Sequence, residues 1–221
     1  MPIALIPARV HSHGIPNKNF RPLVGISPVM RAVTACFGAG IKAYVSSDRP
    51  NLEHWRWWVE RPAELAKDTT PMRLVIEHFL QQVDGPPDEL ILLVEPTQPL
   101  RQPKHLTQAI ELSEQYPRVV SVVETESVQK LYFVTDADDV LLPVSIPVER
   151  RQDARKTYRC DGTVYTFRRK AFPALTSLQR GSHLILIPPE ESCPLDTPLD
   201  WQLAELRLSR GQRGCPPAPT S

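Results

Sequence analysis

The 221-residue sequence predicts an α/β protein with a doubly wound, mostly parallel sheet. Three observations carry that expectation. Short apolar runs of strand length alternate with segments of helix length. One run, Leu90 to Val94, is continuously apolar, as in strands buried on both faces of a parallel sheet. The composition, 41% hydrophobic and 23% charged, is that of a globular chain rather than a disordered or fibrous one.

In chain order, Ile3 to Ile6 reads as a buried strand. Pro28 to Ala39 reads as a helix, with Pro28 at its start and Gly40 just past its end. Ile41 to Ser46 is a second strand. Pro71 to Val83 places Leu74, Val75, His78, Phe79 and Gln82 at helical spacing. Leu90 to Val94 follows as a strand, then a helix over Pro103 to Gln115 and a strand over Arg118 to Val123. The alternation breaks at Glu124 to Tyr158, where Leu131 to Val134 and Val140 to Val148 are strand-like within a charged stretch. That stretch reads as an insertion. Thr163 to Arg168 and His183 to Ile187 are further strands, and Pro198 to Arg210 is a last helix with Leu199, Leu203 and Leu206 along one face. The expected organisation is one domain over 1–210, with an inserted arm at about 124–158 and a disordered tail over 211–221. The 24 prolines against 9 glycines read as rigid connections or as compositional drift.

Lys plus Arg is 26 and Asp plus Glu is 25, a net charge of +1. That argues against bulk affinity for nucleic acid. No apolar run approaches the roughly 20 residues that span a bilayer, so no membrane association is expected. MPIALIPAR lacks the basic leader of a signal peptide. Cys36, Cys160, Cys193 and Cys215 are scattered without metal spacing. The expected setting is the cytoplasm, with reduced thiols.

Ligands of open α/β sheets bind beyond the carboxyl ends of the strands. The first strand leads into an eleven-residue loop from Arg9 to Asn19 that holds Arg9, Ser12, Gly14, Lys18 and Asn19. The first 47 residues contain five basic residues (Arg9, Lys18, Arg21, Arg31, Lys42) and no acid; the first carboxylate is Asp48. Two readings fit: a phosphate site, or a surface loop of solvated charges. The loop is neither a Walker A nor a GxGxxG sequence. Trp55, Trp57 and Trp58 read as part of a packed helix or an interface rather than a stacking platform. His54, His78, His105 and His183 read as structural, and Cys160 as a thiol without catalytic duty.

Six blocks carry a family resemblance. IALIPARVHSHGIPNKN (Ile3 to Asn19), VSSD (Val45 to Asp48) and RPAELAKDT (Arg61 to Thr69) are the first three. LVEPTQPLR (Leu93 to Arg101), RRQDARKTYRCDGTVY (Arg150 to Tyr165) and DTPLDWQLAE (Asp196 to Glu205) complete the set. In this order they resemble the acylneuraminate cytidylyltransferases, which make CMP-activated sialic acids and their relatives. The resemblance implies a nucleotidyltransferase fold and transfer of CMP from CTP to a nonulosonic acid of sialic, legionaminic or pseudaminic type, with release of pyrophosphate. Arg9 and Lys18 match positions that act in catalysis. Ala8, Arg9, Ser12, Gly14, Lys18, Asn19, Arg61 and Thr69 match the CTP site. Glu95, Lys130, Arg151 and Tyr165 match positions that hold the sugar acid. Asp196 matches a ligand of Mg²⁺ or another divalent cation, with Asp48 or Glu95 as candidate second ligands. The insertion matches a β-rich dimerisation arm, so a homodimer is implied.

Four positions depart from the family pattern. His13 replaces a Lys, Glu95 replaces a Gln that contacts the sugar, Pro71 replaces a Ser, and Pro194 replaces the first of two acids before the last helix. Asp196 also sits where a helix N-cap would. The departures leave two alternatives: the same chemistry on a different acidic acceptor, or a weakened homologue acting as a nucleotide-binding or partner protein.

Overall fold

The computed structural model describes residues 1–12, 14–50, 56–134, 141–146, 148–172 and 180–213. Its main sheet has seven strands: β1 (Ile3–Pro7), β2 (Lys42–Ser47), β3 (Trp58–Glu60), β4 (Leu90–Leu93), β5 (Val119–Thr125), β8 (Thr157–Arg168) and β9 (His183–Leu186). They lie in the order β3-β2-β1-β4-β8-β5-β9. Only β8 runs antiparallel to its neighbours. Strands β6 (Tyr132–Val134) and β7 (Leu141–Pro143) pair separately inside the insertion.

Period-two alternation along the strands sends side chains to two cores. Ala4, Ile6, Val45, Leu92 and Ile185 face helices α1 (Pro28–Gly38) and α3 (Pro103–Leu112), which contribute Val29, Val33, Leu106 and Ala109. Ile3, Leu5, Ile91, Leu93 and Phe167 face α2 (Met72–Gln82), which contributes Ile76 and the fully buried Phe79. Helices on both faces make the sheet doubly wound, as expected. A third cluster joins Ile15 and Leu23, Cys193 and Leu195, and Trp201 and Ala204 of α4 (Pro198–Arg213). It seals the loop after β1 against the segment before α4. Burying a side chain the size of Trp201 contributes about 1.5–3 kcal/mol to that seal.

Four expectations change. The tryptophan cluster is no packed helix over its described part: Trp58 opens the edge strand β3, and Trp57 packs edge-on against Phe37 of α1 at 5.4 Å. Trp55 and His54 lie outside the described residues. Strand β8 starts at Thr157, six residues before the expected strand: Thr157 and Tyr158 pair with the exposed Thr125 and Glu124, and Arg159 and Cys160 with Val123 and Val122. Its side chains there meet solvent, so charge does not oppose strand pairing. The strand expected over Val140 to Val148 is confined to Leu141–Pro143 among the described residues. Helix α4 continues to Arg213, three residues into the expected tail, carrying Gly211 within it; residues 214–221 lie outside the described residues.

Candidate nucleotide site

Strands β2 and β3 extend to one side of β1 and β4 to the other. The switch in winding direction opens a crevice at their carboxyl ends. The loop from Arg9 to Asn19 closes over it. The Ala8 amide donates to Ser46 O at 2.9 Å, and the Val10 amide donates to Asp48 Oδ1 at 2.9 Å. Asn19 turns back and donates from Nδ2 to Arg9 O at 2.9 Å.

A cavity of about 150 Å³ lies there, lined by Arg9, Ser12, Lys18, Asn19, Arg61 and Glu95 together with Pro7, Met72, Pro96 and Thr97. Three cations thus meet in one small space. Arg61 is buried, donating from Nε to Ser46 Oγ at 3.1 Å and from Nη2 to Ser46 O at 2.7 Å. Burial pulls its pKa down to about 10, opposed by Asp48 and assisted by Arg9, so it keeps its charge at neutral pH. Arg9 pairs with Asp68. Ser12 Oγ and Asn19 Oδ1 are buried without a hydrogen-bond partner among the described residues. Unsatisfied buried polar atoms are costly; the Ser12 hydroxyl could donate to an anion in this cationic cavity, whereas Asn19 Oδ1 could only accept, from a ligand hydroxyl or amine.

Lys18 spans the crevice. Its Nζ donates to Leu195 O at 2.5 Å and stands 3.6 Å from Asp196 Oδ1. Gly14 makes this closure sterically open: a Cβ there would lie 2.3 Å from Asp196 O. Asp196 is not the helix cap. Thr197 and Asp200 cap α4 reciprocally, Thr197 N donating to Asp200 Oδ2 at 2.7 Å and Asp200 N to Thr197 Oγ1 at 3.3 Å. Burial pushes the Asp200 carboxyl up, but the Thr197 hydroxyl and the Thr197 and Asp196 amides outweigh it and hold it below its ordinary value. The Asp196 carboxylate is left exposed and uncommitted to the helix.

Among the described residues no group of three or more His, Cys, Asp or Glu side chains could hold a metal. The carboxylates near the crevice are Asp196, exposed and 3.6 Å from Lys18 Nζ, Asp48, whose Oδ1 accepts from the Val10 amide, and Glu95 in the cavity wall. That set suits Mg²⁺, which is commonly bound by one or two carboxylates plus substrate phosphates and water.

The remaining sugar-acid residues are spread further. Glu95 is in the cavity wall. Tyr165 is buried in the α2-side core, in register with Leu93 and Val120, outside that wall. Lys130 and Arg151 sit in short 3₁₀ turns of the arm. Thr69 is exposed in the turn beside Asp68. His13 lies outside the described residues. The floor under Glu95 was not anticipated. Buried Arg101 donates to Glu95 O at 2.5 Å, Gly162 O at 3.1 Å and Thr163 O at 2.7 Å. Gln98 bonds Asp161 O and accepts from the Cys193 amide at 3.0 Å. Arg101 closes the LVEPTQPLR block, which was the available signal. The Cys160 thiol is pushed up chiefly by burial, which fits an inactive thiol.

A family model described as cytidylyltransferase matches residues 3–180. The chain belongs to the cytidylyltransferase family. The family expected from the six ordered blocks is the family found. This cytidylyltransferase-family chain is 29% identical over 219 residues to N-acylneuraminate cytidylyltransferase B of Danio rerio, covering 94% of the chain and 51% of that relative. It is 26% identical over 227 residues to the CMP-N,N'-diacetyllegionaminic acid synthase of Legionella pneumophila, covering 95% and 97%. The chain thus spans about half the length of the vertebrate relative and nearly all of the bacterial one. Among solved structures, a CMP:2-keto-3-deoxy-manno-octonic acid synthetase complexed with CTP aligns at TM-score 0.66 with 16% identity, covering 96% of this chain and 99% of that one. That likeness shows the nucleotidyltransferase fold. No helix among the described residues is long and apolar enough to cross a membrane.

Proposed function

We propose that this cytidylyltransferase-family chain transfers CMP from CTP to the hydroxyl of a nonulosonic acid and releases pyrophosphate. The observation that carries the reading is the convergence of Arg9, Lys18 and Arg61 with Ser12 and Asn19 on one crevice at the ends of β1 and β4. The names of its relatives supply the base and the acceptor class.

The arrangement suits phosphoryl chemistry, which needs positioning and charge neutralisation more than covalent help. Arg9 would exchange Asp68 for a phosphate oxygen. Lys18, anchored by Leu195 O, would hold the leaving pyrophosphate, as a fixed cation acts where charge develops. Ser12 Oγ would donate to a phosphate oxygen, and Asn19 Oδ1 would accept from a ribose hydroxyl. Asp196 would hold Mg²⁺, which when bound neutralises the triphosphate.

The acidic acceptor needs cations of its own. Arg151 and Lys130 supply them in this reading, reaching from the arm of one protomer into the site of its partner in a homodimer. CTP and Mg²⁺ are drawn from the cytoplasm, the compartment this reading assigns.

The test is pyrophosphate release by the purified chain with CTP, Mg²⁺ and a panel of nonulosonic acids, with ATP, GTP and UTP as controls. Release should require CTP and one acid together. Lys18→Ala should lower kcat by about 10²-fold or more. Equal release with all four nucleotides, or a fully active Lys18→Ala protein, overturns the reading.

A further inference from the structure

The anchor of Lys18 is Leu195 O, and Leu195 lies in a stretch that no helix or strand holds, between the 3₁₀ turn Pro189–Glu191 and α4. Its placement must come from contacts with neighbours. From α4, Arg207 holds Ser192 O at 2.7 Å. On the crevice side the stretch lies along the loop after β4. The Leu195 amide donates to Thr97 O at 2.9 Å, and the Cys193 amide donates to Gln98 Oε1 at 3.0 Å. Cys193 and Leu195 are both buried.

Gln98 is itself only 1% exposed. The other end of its amide donates from Nε2 to Asp161 O in β8. That end is fixed. The Asp161 carboxylate accepts from the Thr163 amide at 3.1 Å and from the Thr163 hydroxyl at 2.8 Å. Arg101 clamps the same bend, donating to Gly162 O at 3.1 Å and Thr163 O at 2.7 Å. A buried amide that spends its donor on one segment and its acceptor on another is a strut between them. An apolar side chain of the same length would fill the space but leave the Cys193 amide and the Asp161 carbonyl without this partner.

We propose that Gln98 is a positioning residue for Lys18. It carries the fixed geometry of β8 to the stretch from Cys193 to Leu195, so that Leu195 O stands where it holds Lys18 Nζ across the crevice. The cavity wall takes Glu95, Pro96 and Thr97 from this loop and leaves Gln98 in the interior, so Gln98 acts through Lys18 rather than on a substrate. The assignment rests on the cytidylyltransferase reading, in which Lys18 meets the triphosphate. A lysine is a point charge on a flexible four-carbon stem. Holding its head on a carbonyl of fixed position keeps the charge ready where the phosphates arrive, and a displacement of about 1 Å in such a group can cost 10²-fold in rate.

The experiment is a double-mutant cycle on wild type, Gln98→Met, Lys18→Ala and the double variant, assayed well below the Tm of each. Gln98→Asn, which keeps the amide on a stem one methylene shorter, is the second probe should Gln98→Met not fold. Two quantities are read: kcat for pyrophosphate release, and the dissociation constant of CTP with Mg²⁺ by calorimetry. With Lys18 present, Gln98→Met should lower kcat by about tenfold or more and weaken CTP binding by about threefold or more. Gln98→Asn should move both in the same direction. In the Lys18→Ala background, the same substitutions should change either quantity by less than about twofold. Equal losses in both backgrounds mean that Gln98 acts through another group, and overturn the assignment. A lower Tm with kcat and CTP affinity unchanged makes Gln98 an ordinary buried hydrogen bond, and also overturns it. If wild type binds CTP but transfers it to no acid, the transfer reading fails, and the cycle on CTP affinity still decides the positioning role. Wild type that binds no CTP overturns both.

Discussion

Gly14 shows how a single atom can control the crevice. The loop from Arg9 to Asn19 approaches the segment before α4 so closely that a methyl group at Gly14 would meet Asp196 O at 2.3 Å. The obstacle is backbone, itself held by Lys18 to Leu195 O and by the Asp196 amide to Asp200, so it cannot step aside as a flexible side chain would. Gly14→Ala should cost about 1–3 kcal/mol in urea unfolding. It should lower kcat/KM by about 10²-fold by separating Lys18 from Asp196. Full activity would show that the two sides need not touch. At this scale the sequence was legible where chemistry is local. Arg9, Ser12, Lys18 and Asn19 stand in one short loop, and the structure brings all four to one cavity. Arg61 is 42 residues beyond Asn19 in the chain, and only the family resemblance linked it to that loop. Nothing local marks Ser46 as the residue that holds it.

Elements were legible where a single pattern dominates. β1 and β4 are apolar runs buried on both faces, and α1 and α3 begin with proline. Strand β3 escaped because three residues at a sheet edge carry no periodicity, and tryptophan suits helix and strand alike. The first half of β8 escaped because Tyr158 and Arg159 are exposed, so no apolar alternation marks it. The start of α4 at Pro198 matched the expectation, but its cap is Thr197 rather than Asp196, and the difference matters chemically. With Thr197 as the cap, Asp200 closes the box and Asp196 keeps its carboxylate for the site. Thr197→Ala should therefore cost about 1 kcal/mol, a fall in Tm of about 2–4 °C for a chain of this size. It should also raise the Mg²⁺ concentration needed for half-maximal activity, because the Asp196 backbone loses an ordered partner. Thr197→Ser should restore both. A Tm change without the Mg²⁺ shift would separate the cap from the site.

For the whole molecule, the proposed reading has one protomer supply a cationic crevice for a triphosphate, while the cations expected to meet the acceptor's carboxylate stand in the arm, in the turns Val128–Lys130 and Arg151–Asp153. An arm that serves a neighbouring site makes each active centre composite. Composite sites have a signature that no single-chain site has. Lys18→Ala disables the phosphate loop of its own protomer, and Arg151→Ala disables the arm it lends. Each homodimer of either variant should be nearly inactive, Lys18→Ala in kcat and Arg151→Ala through a raised KM for the acid with CTP affinity unchanged. Mixed under conditions that let subunits exchange, half of the dimers are hybrids. In a hybrid, one site combines both defects and the other combines an intact Lys18 with the partner subunit's Arg151. Activity should recover to about one quarter of wild type, one intact site in every four. Recovery should grow with the exchange time and vanish when the two proteins are mixed only after cross-linking. If the arm serves its own protomer, every site in the mixture carries one defect and no activity returns. That outcome would leave the crevice as described and make each protomer a complete enzyme.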